Sequence, residues 1–335
     1  MPLPQLERVS LGRTGLPVSR LALGGLFVSS YGADFEQASA AVRRAAELGI
    51  NYVDTAPMYG NSEEVLGRIL PDIPQPLIVS TKLGARPRPF DAKDRDALRT
   101  SFRESLRLLG RERIDILMIH EPDRPRQFDW WDDFDSAAGP VMGVLDELRE
   151  QGLVGHVGLG GTTAYEMARL LRTGKFDVVL TAFNYSLLWQ EAAHEVLPAA
   201  REHGVGVVVG SPLQQGALAR RWDAEVESGA RWLSKPRREQ FRALYRLLDQ
   251  IDITLPELGL RFVLSNPDVH TVLSGVRSVS EVEQNVEAAS KGPLSAELLG
   301  RIQEIAAMVP FRPHDEPFAL PFGRAYAGSP PAGPI

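Results

Sequence analysis

Short apolar runs alternate along this chain with longer stretches whose apolar positions recur every three or four residues. The first pattern is that of a buried strand, the second that of an amphipathic helix. Residues 21–24 form the first run and 35–48 the first helical stretch, with Gly49 placed to stop it. The alternation repeats at 50–53 and 62–70, 77–80 and 94–109, 114–119 and 141–151, 155–159 and 164–171, and 178–180 and 191–203. Two further units follow, 205–209 with 238–248 extended by 255–264, and 271–273 with 279–289. Runs this short and this apolar fit strands covered on both faces of a parallel sheet, the helices serving as right-handed crossovers. Eight such units predict an α/β fold, the closed (β/α)8 TIM barrel.

Residues 8–11 and 18–20 flank Gly12-Arg13-Thr14-Gly15 and predict an N-terminal β-hairpin that caps the barrel bottom. Residues 295–308 read as one extra helix. Three connections are longer than usual and are expected on the C-terminal face of the barrel. They are 121–139, with Phe128, Trp130, Trp131 and Phe134; 213–235, with Trp222 and Trp232; and 309–326. Nothing marks a second domain, so 1–327 reads as a single barrel domain and the Pro/Gly-rich 328–335 as a disordered tail.

The end of the second predicted strand opens into Asp54-Thr55-Ala56-Pro57-Met58-Tyr59-Gly60, and Lys82 and His120 each sit just past an apolar run. In a parallel barrel, strand C-terminal ends are where catalytic side chains converge. A tyrosine hydroxyl is a weak acid that becomes useful near neutrality if an adjacent cation steadies its phenolate, and Lys82 is the expected cation. Asp54 could hold Lys82 charged, and His120 could hydrogen-bond a substrate oxygen. Taken singly, these residues read equally well as a helix cap, a core aromatic, a surface cation and a strand-end histidine. Together, on consecutive strand ends, they polarise one carbonyl oxygen but supply no nucleophile and no metal ligand set, so the second reactant is expected from a cofactor.

Composition narrows the partners. The formal net charge of -6 argues against nucleic acid, and no stretch of about 18 apolar residues suggests a membrane span. The chain has no cysteine, which removes disulfides and thiolate chemistry. No basic region followed by an apolar run opens the sequence, so a cytoplasmic location is expected. Lysine occurs only at Lys82, Lys93, Lys175, Lys235 and Lys291, which makes Lys82 stand out. Nothing in the sequence fixes an oligomeric state.

From Val9-Ser10-Leu11-Gly12-Arg13-Thr14-Gly15-Leu16 through Gln284-Asn285 the chain resembles the aldo-keto reductase family. The phrase from Asp54 to Glu63, then Leu66-Gly67, Ser80-Thr81-Lys82 and Met118-Ile119-His120, carries the resemblance. It implies a barrel that binds a nicotinamide dinucleotide, NAD(P), across the strand ends, with Tyr59 as general acid or base supported by Asp54, Lys82 and His120. It also implies a small carbonyl or sugar substrate. Segments 182–188 and 204–213 resemble a branch of dehydrogenases acting on aldoses such as fucose, galactose or arabinose.

The cofactor contacts depart from the family pattern. Gly160-Gly161 stand where Ser-Asn usually holds the carboxamide, and Ala182, with Asn184 nearby, where a glutamine is usual. Gly210 precedes Ser211-Pro212-Leu213 where many members place a tyrosine. Glycine backbone could replace the lost contacts by close approach. At the adenine end, 275–285 matches the last strand-to-helix turn, with Gly275, Gln284 and Asn285 in place. Arg277 favours a 2′-phosphate, whereas Glu281 stands where many members have an arginine and would repel one. The two signals leave NAD and NADP open, and both residues also read as a solvated helix start.

Phe27, by family position, and Trp130 and Trp131, in the aromatic loop, are the expected substrate walls. Other readings of the chain are a dinucleotide-binding regulatory subunit with little turnover, a reductase of non-sugar aldehydes or ketones, and an aldolase-like barrel with Lys82 as a Schiff-base lysine.

Overall fold

The computed structural model describes residues 6–86, 88–230, 232–313 and 316. The expected tail at 328–335, and the 309–326 segment apart from 309–313 and 316, lie outside the described residues. The strands are β1 (Arg8–Ser10), β2 (Pro17–Ser19), β3 (Leu21–Gly24), β4 (Tyr52–Asp54), β5 (Ile78–Leu83), β6 (Ile114–His120), β7 (Val154–Gly161), β8 (Val178–Ala182), β9 (Gly206–Gly210) and β10 (Thr271–Gly275). The helices are α1 (Phe35–Glu47), α2 (Ser62–Ile69), α3 (Arg95–Leu109), α4 (Pro140–Glu150), α5 (Ala164–Leu171), α6 (Glu191–His194), α7 (Val196–Glu202), α8 (Asp223–Ser228), α9 (Lys235–Leu248), α10 (Leu255–Leu264), α11 (Val279–Ser290) and α12 (Ala296–Ala307).

Strands β3 to β10 pair in parallel in chain order, and β10 returns to β3, closing an eight-stranded barrel ringed by helices. Several helices start on a side-chain cap, as the sequence allows: Asp34 accepts the Gln37 amide, Ser234 that of Arg237 and Thr254 that of Glu257. The interior is filled by Ala22, Tyr52, Ile116, Met118, Val178, Val208 and their neighbours, so the barrel is a packed core.

The hairpin β1–β2 plugs the lower end. Leu11 and Val18 join the interior cluster, and the Arg13 amide donates to Gly204 O at 2.7 Å. Gly12 has φ +51, and a Cβ there would lie 2.3 Å from the Gly206 nitrogen, so only glycine lets the two backbones meet.

Two local expectations change. The helix expected over 191–203 is broken into α6 and α7 at Glu195, because the Pro198 ring clashes with the carbonyl four residues back, that of His194. The 213–235 connection contains the short helix α8. The barrel strands also run further than their apolar cores, so Asp54, His120 and Gly161 are each the final residue of a strand.

The left-handed region is sparsely occupied by residues with a Cβ. Its described non-glycine occupants are Ala85, Glu121, Ala137, Phe183, Ser211, Gln214 and Gln215. All follow the C-terminal ends of barrel strands or lie in the loop after β6, so backbone strain is confined to one face. Among the described residues no helix is long and apolar enough to cross a membrane, and no group of three or more histidine, aspartate or glutamate residues could hold a metal.

Candidate active site

The pairing of Asp54 with Ser80 between β4 and β5 brings their side chains together. The Ser80 hydroxyl donates to Asp54 Oδ1 at 2.6 Å and accepts from the Tyr52 hydroxyl at 2.9 Å. Lys82 Nζ donates to Asp54 Oδ2 at 2.7 Å and to Thr55 O at 2.8 Å. Both charged side chains are 1% exposed, so each depends on the other for its charge. Tyr52 and Ser80 fix the carboxylate, the carboxylate fixes the ammonium, and the ammonium faces the barrel mouth.

Tyr59, on the loop after β4, lies over that ammonium, with its ring centre 4.7 Å from Lys82 Nζ. Its ring meets His120 edge to face at 5.9 Å. Burial, then Asp54 and Glu121, push the Tyr59 hydroxyl well above its ordinary pKa. The lysine expected to steady a phenolate is itself ion-paired with Asp54. Burial, then Lys82, push His120 well below its usual value, so its imidazole is neutral. His120 Nδ1 is buried without a hydrogen-bond partner.

The floor beside His120 is bare backbone. Register pairs His120 with Gly160, and a Cβ at Gly160 would lie 3.2 Å from Lys82 Cε. Gly161 faces the other way, where a Cβ would lie 2.3 Å from Asp123 Oδ1 and 2.4 Å from Met167 Sδ. Asn184 reaches this floor, its amide donating to Thr162 O at 2.8 Å. On the next strand end, Ser211 is left-handed, Pro212 is buried, and Leu213 lies against Gly259 of α10. Gln214 donates to Phe183 O at 3.2 Å while its Oε1 is buried without a partner.

Across the mouth, Gly275 ends β10 and Ser278 caps α11. Glu281 Oε2 accepts the Arg277 amide at 2.7 Å, so a carboxylate already occupies this helix start. The exposed Arg277 guanidinium stacks over Phe27 at 4.5 Å, and Phe27 also packs against Gly275. Phe27 therefore stands at the β10 side of the mouth. Asn285 donates to Ser274 Oγ at 2.6 Å, tying α11 to β10, while Gln284 is exposed and contacts Ser280.

Trp130 and Trp131 are buried, and each uses its indole N–H on backbone: Trp130 on His120 O at 3.0 Å and Trp131 on Pro122 O at 2.8 Å. Both indole N–H groups thus brace the turn after β6. Trp130 packs with Phe90 and Phe128, and Phe128 is the half-buried member of the loop beside Gly84. Sequence reasoning missed Glu121, Asp123 and Gln214, although the first two follow His120 directly as Glu121-Pro122-Asp123.

The mouth thus offers a hydroxyl that keeps its proton, a neutral imidazole and a buried ammonium, which together can polarise a carbonyl oxygen. That is the equipment of a TIM-barrel oxidoreductase. The chain belongs to the aldo/keto reductase family, whose pattern matches residues 20–307. It is 31% identical over 284 residues to D-threo-aldose 1-dehydrogenase of Pseudomonas sp, covering 76% of this chain and 84% of that one. It is 30% identical over 319 residues to L-galactose dehydrogenase of Arabidopsis thaliana, covering 91% and 93%. Among solved structures it resembles the holo form of aldo-keto reductase AKR11C1 from Bacillus halodurans, with a TM-score of 0.73 and 26% identity over 93% of this chain and 100% of that one. The family uses nicotinamide cofactors.

Proposed function

We propose that the protein oxidises the C1 carbinol of a cyclic aldose to a lactone, passing the hydride to a nicotinamide dinucleotide and the hydroxyl proton to Tyr59. The observation that carries hydride transfer is the buried Asp54–Lys82 pair beneath Tyr59 and beside a neutral His120. Both relatives named above are sugar dehydrogenases by name, which supports the aldose.

The residues present fit the cofactor: no side chain rises from Gly160 or Gly161 at the end of β7, and the partnerless Gln214 Oε1 and the Asn184 amide stand on the neighbouring strand ends. Asn184, Ser211, Pro212, Leu213 and Gln214 would hold the nicotinamide half, and Gly275, Arg277, Gln284 and Asn285 the adenosine half. The bound dinucleotide supplies the hydride acceptor.

The protein residues do the rest. His120 carries its proton on Nε2, since Nδ1 has no acceptor, and donates a hydrogen bond through it to the substrate oxygen while keeping the proton. Ionised to its phenolate, Tyr59 accepts a hydrogen bond from the substrate hydroxyl and takes its proton, and the Lys82 ammonium stabilises the negative charge shared by the two oxygens. The half-buried Phe128 offers a ring for the apolar face of the sugar. A protonated Tyr59 equally serves the reverse step, and this favours reduction of a free aldehyde or ketone as the second reading.

Glu281 at the α11 start favours a free ribose hydroxyl over a phosphate, hence NAD over NADP. The test incubates the protein with NAD and with NADP across a panel of aldoses and aldehydes and follows nicotinamide absorbance. Lactone formation with NAD supports the proposal, while turnover confined to aldehydes and reduced cofactor transfers support to the second reading. Binding of neither dinucleotide rejects both.

A further inference from the structure

We propose that the turn Glu121-Pro122-Asp123 makes this site selective for the oxidised, cationic nicotinamide ring over the neutral reduced ring. The inference rests on the dinucleotide reading above and adds a preferred redox state, set by residues outside the Asp54–Tyr59–Lys82–His120 group.

The turn folds back over the strand end that lacks side chains. The Glu121 amide donates to Gly160 O at 2.7 Å. Asp123 Oδ2 accepts the Thr162 and Thr163 amides at 2.9 and 2.5 Å, and Glu121 Oε2 accepts the Thr162 hydroxyl at 2.9 Å. Asp123 Oδ1 occupies the volume that a side chain at Gly161 would fill, and it has no hydrogen-bond partner although Asp123 is only 4% exposed. Glu121 reaches its place through a left-handed backbone at φ +50, a conformation unfavourable for a residue with a Cβ. Trp130 and Trp131 hold the turn from behind through His120 O and Pro122 O. A strained turn, braced on both sides, thus sets the Glu121 carboxylate at the end of β7 beside Gly160, with the Asp123 carboxylate behind it on the far side of Gly161.

The groups facing Glu121 are Asp123 and Arg124 from its own turn, His120 from β6, Lys82 from β5, and Tyr59 and Asp54 from β4 and its loop. His120 and Tyr59 carry no charge. Lys82 is matched by Asp54 at 2.7 Å, and Arg124 Nε stands 3.2 Å from Glu121 Oε2. With Glu121 ionised, carboxylates outnumber cations here; with Glu121 protonated, they balance. Burial and Asp123 raise the Glu121 pKa to about 7, so the balance changes within the range where enzymes work.

Any hydride partner of a carbon held at Tyr59 and His120 lies within a strand spacing or two of Gly160, because His120 and Gly160 are paired across adjacent strands about 4.8 Å apart. At that range one charge, attenuated by an effective dielectric near 20, changes the affinity for a cation by at least about fivefold. The neutral ring gains nothing from it.

The test titrates the protein with NAD+ and with NADH at pH 6 and pH 8, reading affinity from protein and NADH fluorescence. The ratio of NADH to NAD+ dissociation constants is expected to rise about fivefold from pH 6 to pH 8 in the wild type and to stay level in Glu121→Gln. Asp123→Asn should lower the ratio at both pH values. A level ratio in the wild type, or the same rise in Glu121→Gln, overturns the proposal while leaving the dinucleotide reading intact. Failure of the folded protein to bind either form overturns that reading and this proposal with it. Should Asp123→Asn fail to fold, the Glu121→Gln comparison decides alone.

Discussion

Lys82 Nζ stands 2.7 Å from Asp54 Oδ2 with both side chains 1% exposed, so the positive charge at the barrel mouth exists because a negative one lies beneath it. Asp54→Asn strands the ammonium in a dry site. Chemical denaturation should show a loss of about 3–5 kcal/mol, of which the double variant Asp54→Asn/Lys82→Met recovers a large share. Equal stability of the single variant and the wild type would remove the ion pair from the account of the site.

Tyr59→Phe deletes the hydroxyl but keeps the ring that stacks between Lys82 and His120. Steady-state kinetics should show kcat/KM lower by about 10²–10⁴, with dinucleotide affinity unchanged. Retained turnover would move proton transfer to another group. Because the hydroxyl holds its proton strongly, wild-type aldose oxidation should quicken as pH rises into the alkaline range.

Stability should respond to pH through two neighbours with opposite signs. The folded-state pKa of His120 is depressed below 6.5, so as pH falls below 6.5 the unfolded chain takes up a proton that the folded site refuses, and stability is lost. The folded-state pKa of Glu121 is raised from 4.5 to about 7, so its contribution is complete below 4.5 and lost as pH rises toward 7. Urea denaturation at pH 5, 6, 7 and 8 should therefore show Glu121→Gln removing a decline of up to about 1.4 kcal/mol per pH unit, and His120→Gln removing a gain at the acid end. Variant curves parallel to the wild type would contradict both assignments.

Gly161→Ala places a methyl group 2.3 Å from Asp123 Oδ1 and 2.4 Å from Met167 Sδ. Overpacking of this kind should cost about 1–3 kcal/mol in unfolding experiments and displace the Asp123 carboxylate from the Thr162 and Thr163 amides. Unchanged stability would mean that the carboxylate is not confined there.

Glu316 is a further buried anchor. Its carboxylate meets Arg237 Nε at 3.0 Å and the Trp189 indole N–H at 2.5 Å, joining the C-terminal segment to α9. Glu316→Ala leaves a buried guanidinium without its anion, and denaturation should register a loss of about 3–5 kcal/mol. A neutral outcome would show that solvent reaches Arg237 in the variant.

The barrel was legible because each strand is an apolar run and each helix keeps its 3.6-residue period, and Asp54, Lys82 and His120 could be placed because they end such runs. The break at Glu195 was also written in the chain, as Pro198, but the apolar period of 191–203 masks it. What could not be read was pairing. That Tyr52 and Ser80 fix the Asp54 carboxylate, that the Trp130 and Trp131 indoles turn to backbone carbonyls, and that Asp123 fills the gap at Gly161 all depend on neighbours distant in sequence. The strained backbone at Glu121 is likewise invisible in a residue whose type gives no warning of it.

The hairpin wedged into the lower end has a kinetic consequence. With Leu11 and Val18 filling that end, the Arg13 amide fastened to Gly204 O and the barrel interior packed, the mouth above the strand ends is where reactants can sit. If a dinucleotide and a carbonyl compound both bind there, as proposed, they share one doorway, and product-inhibition kinetics should show an ordered exchange.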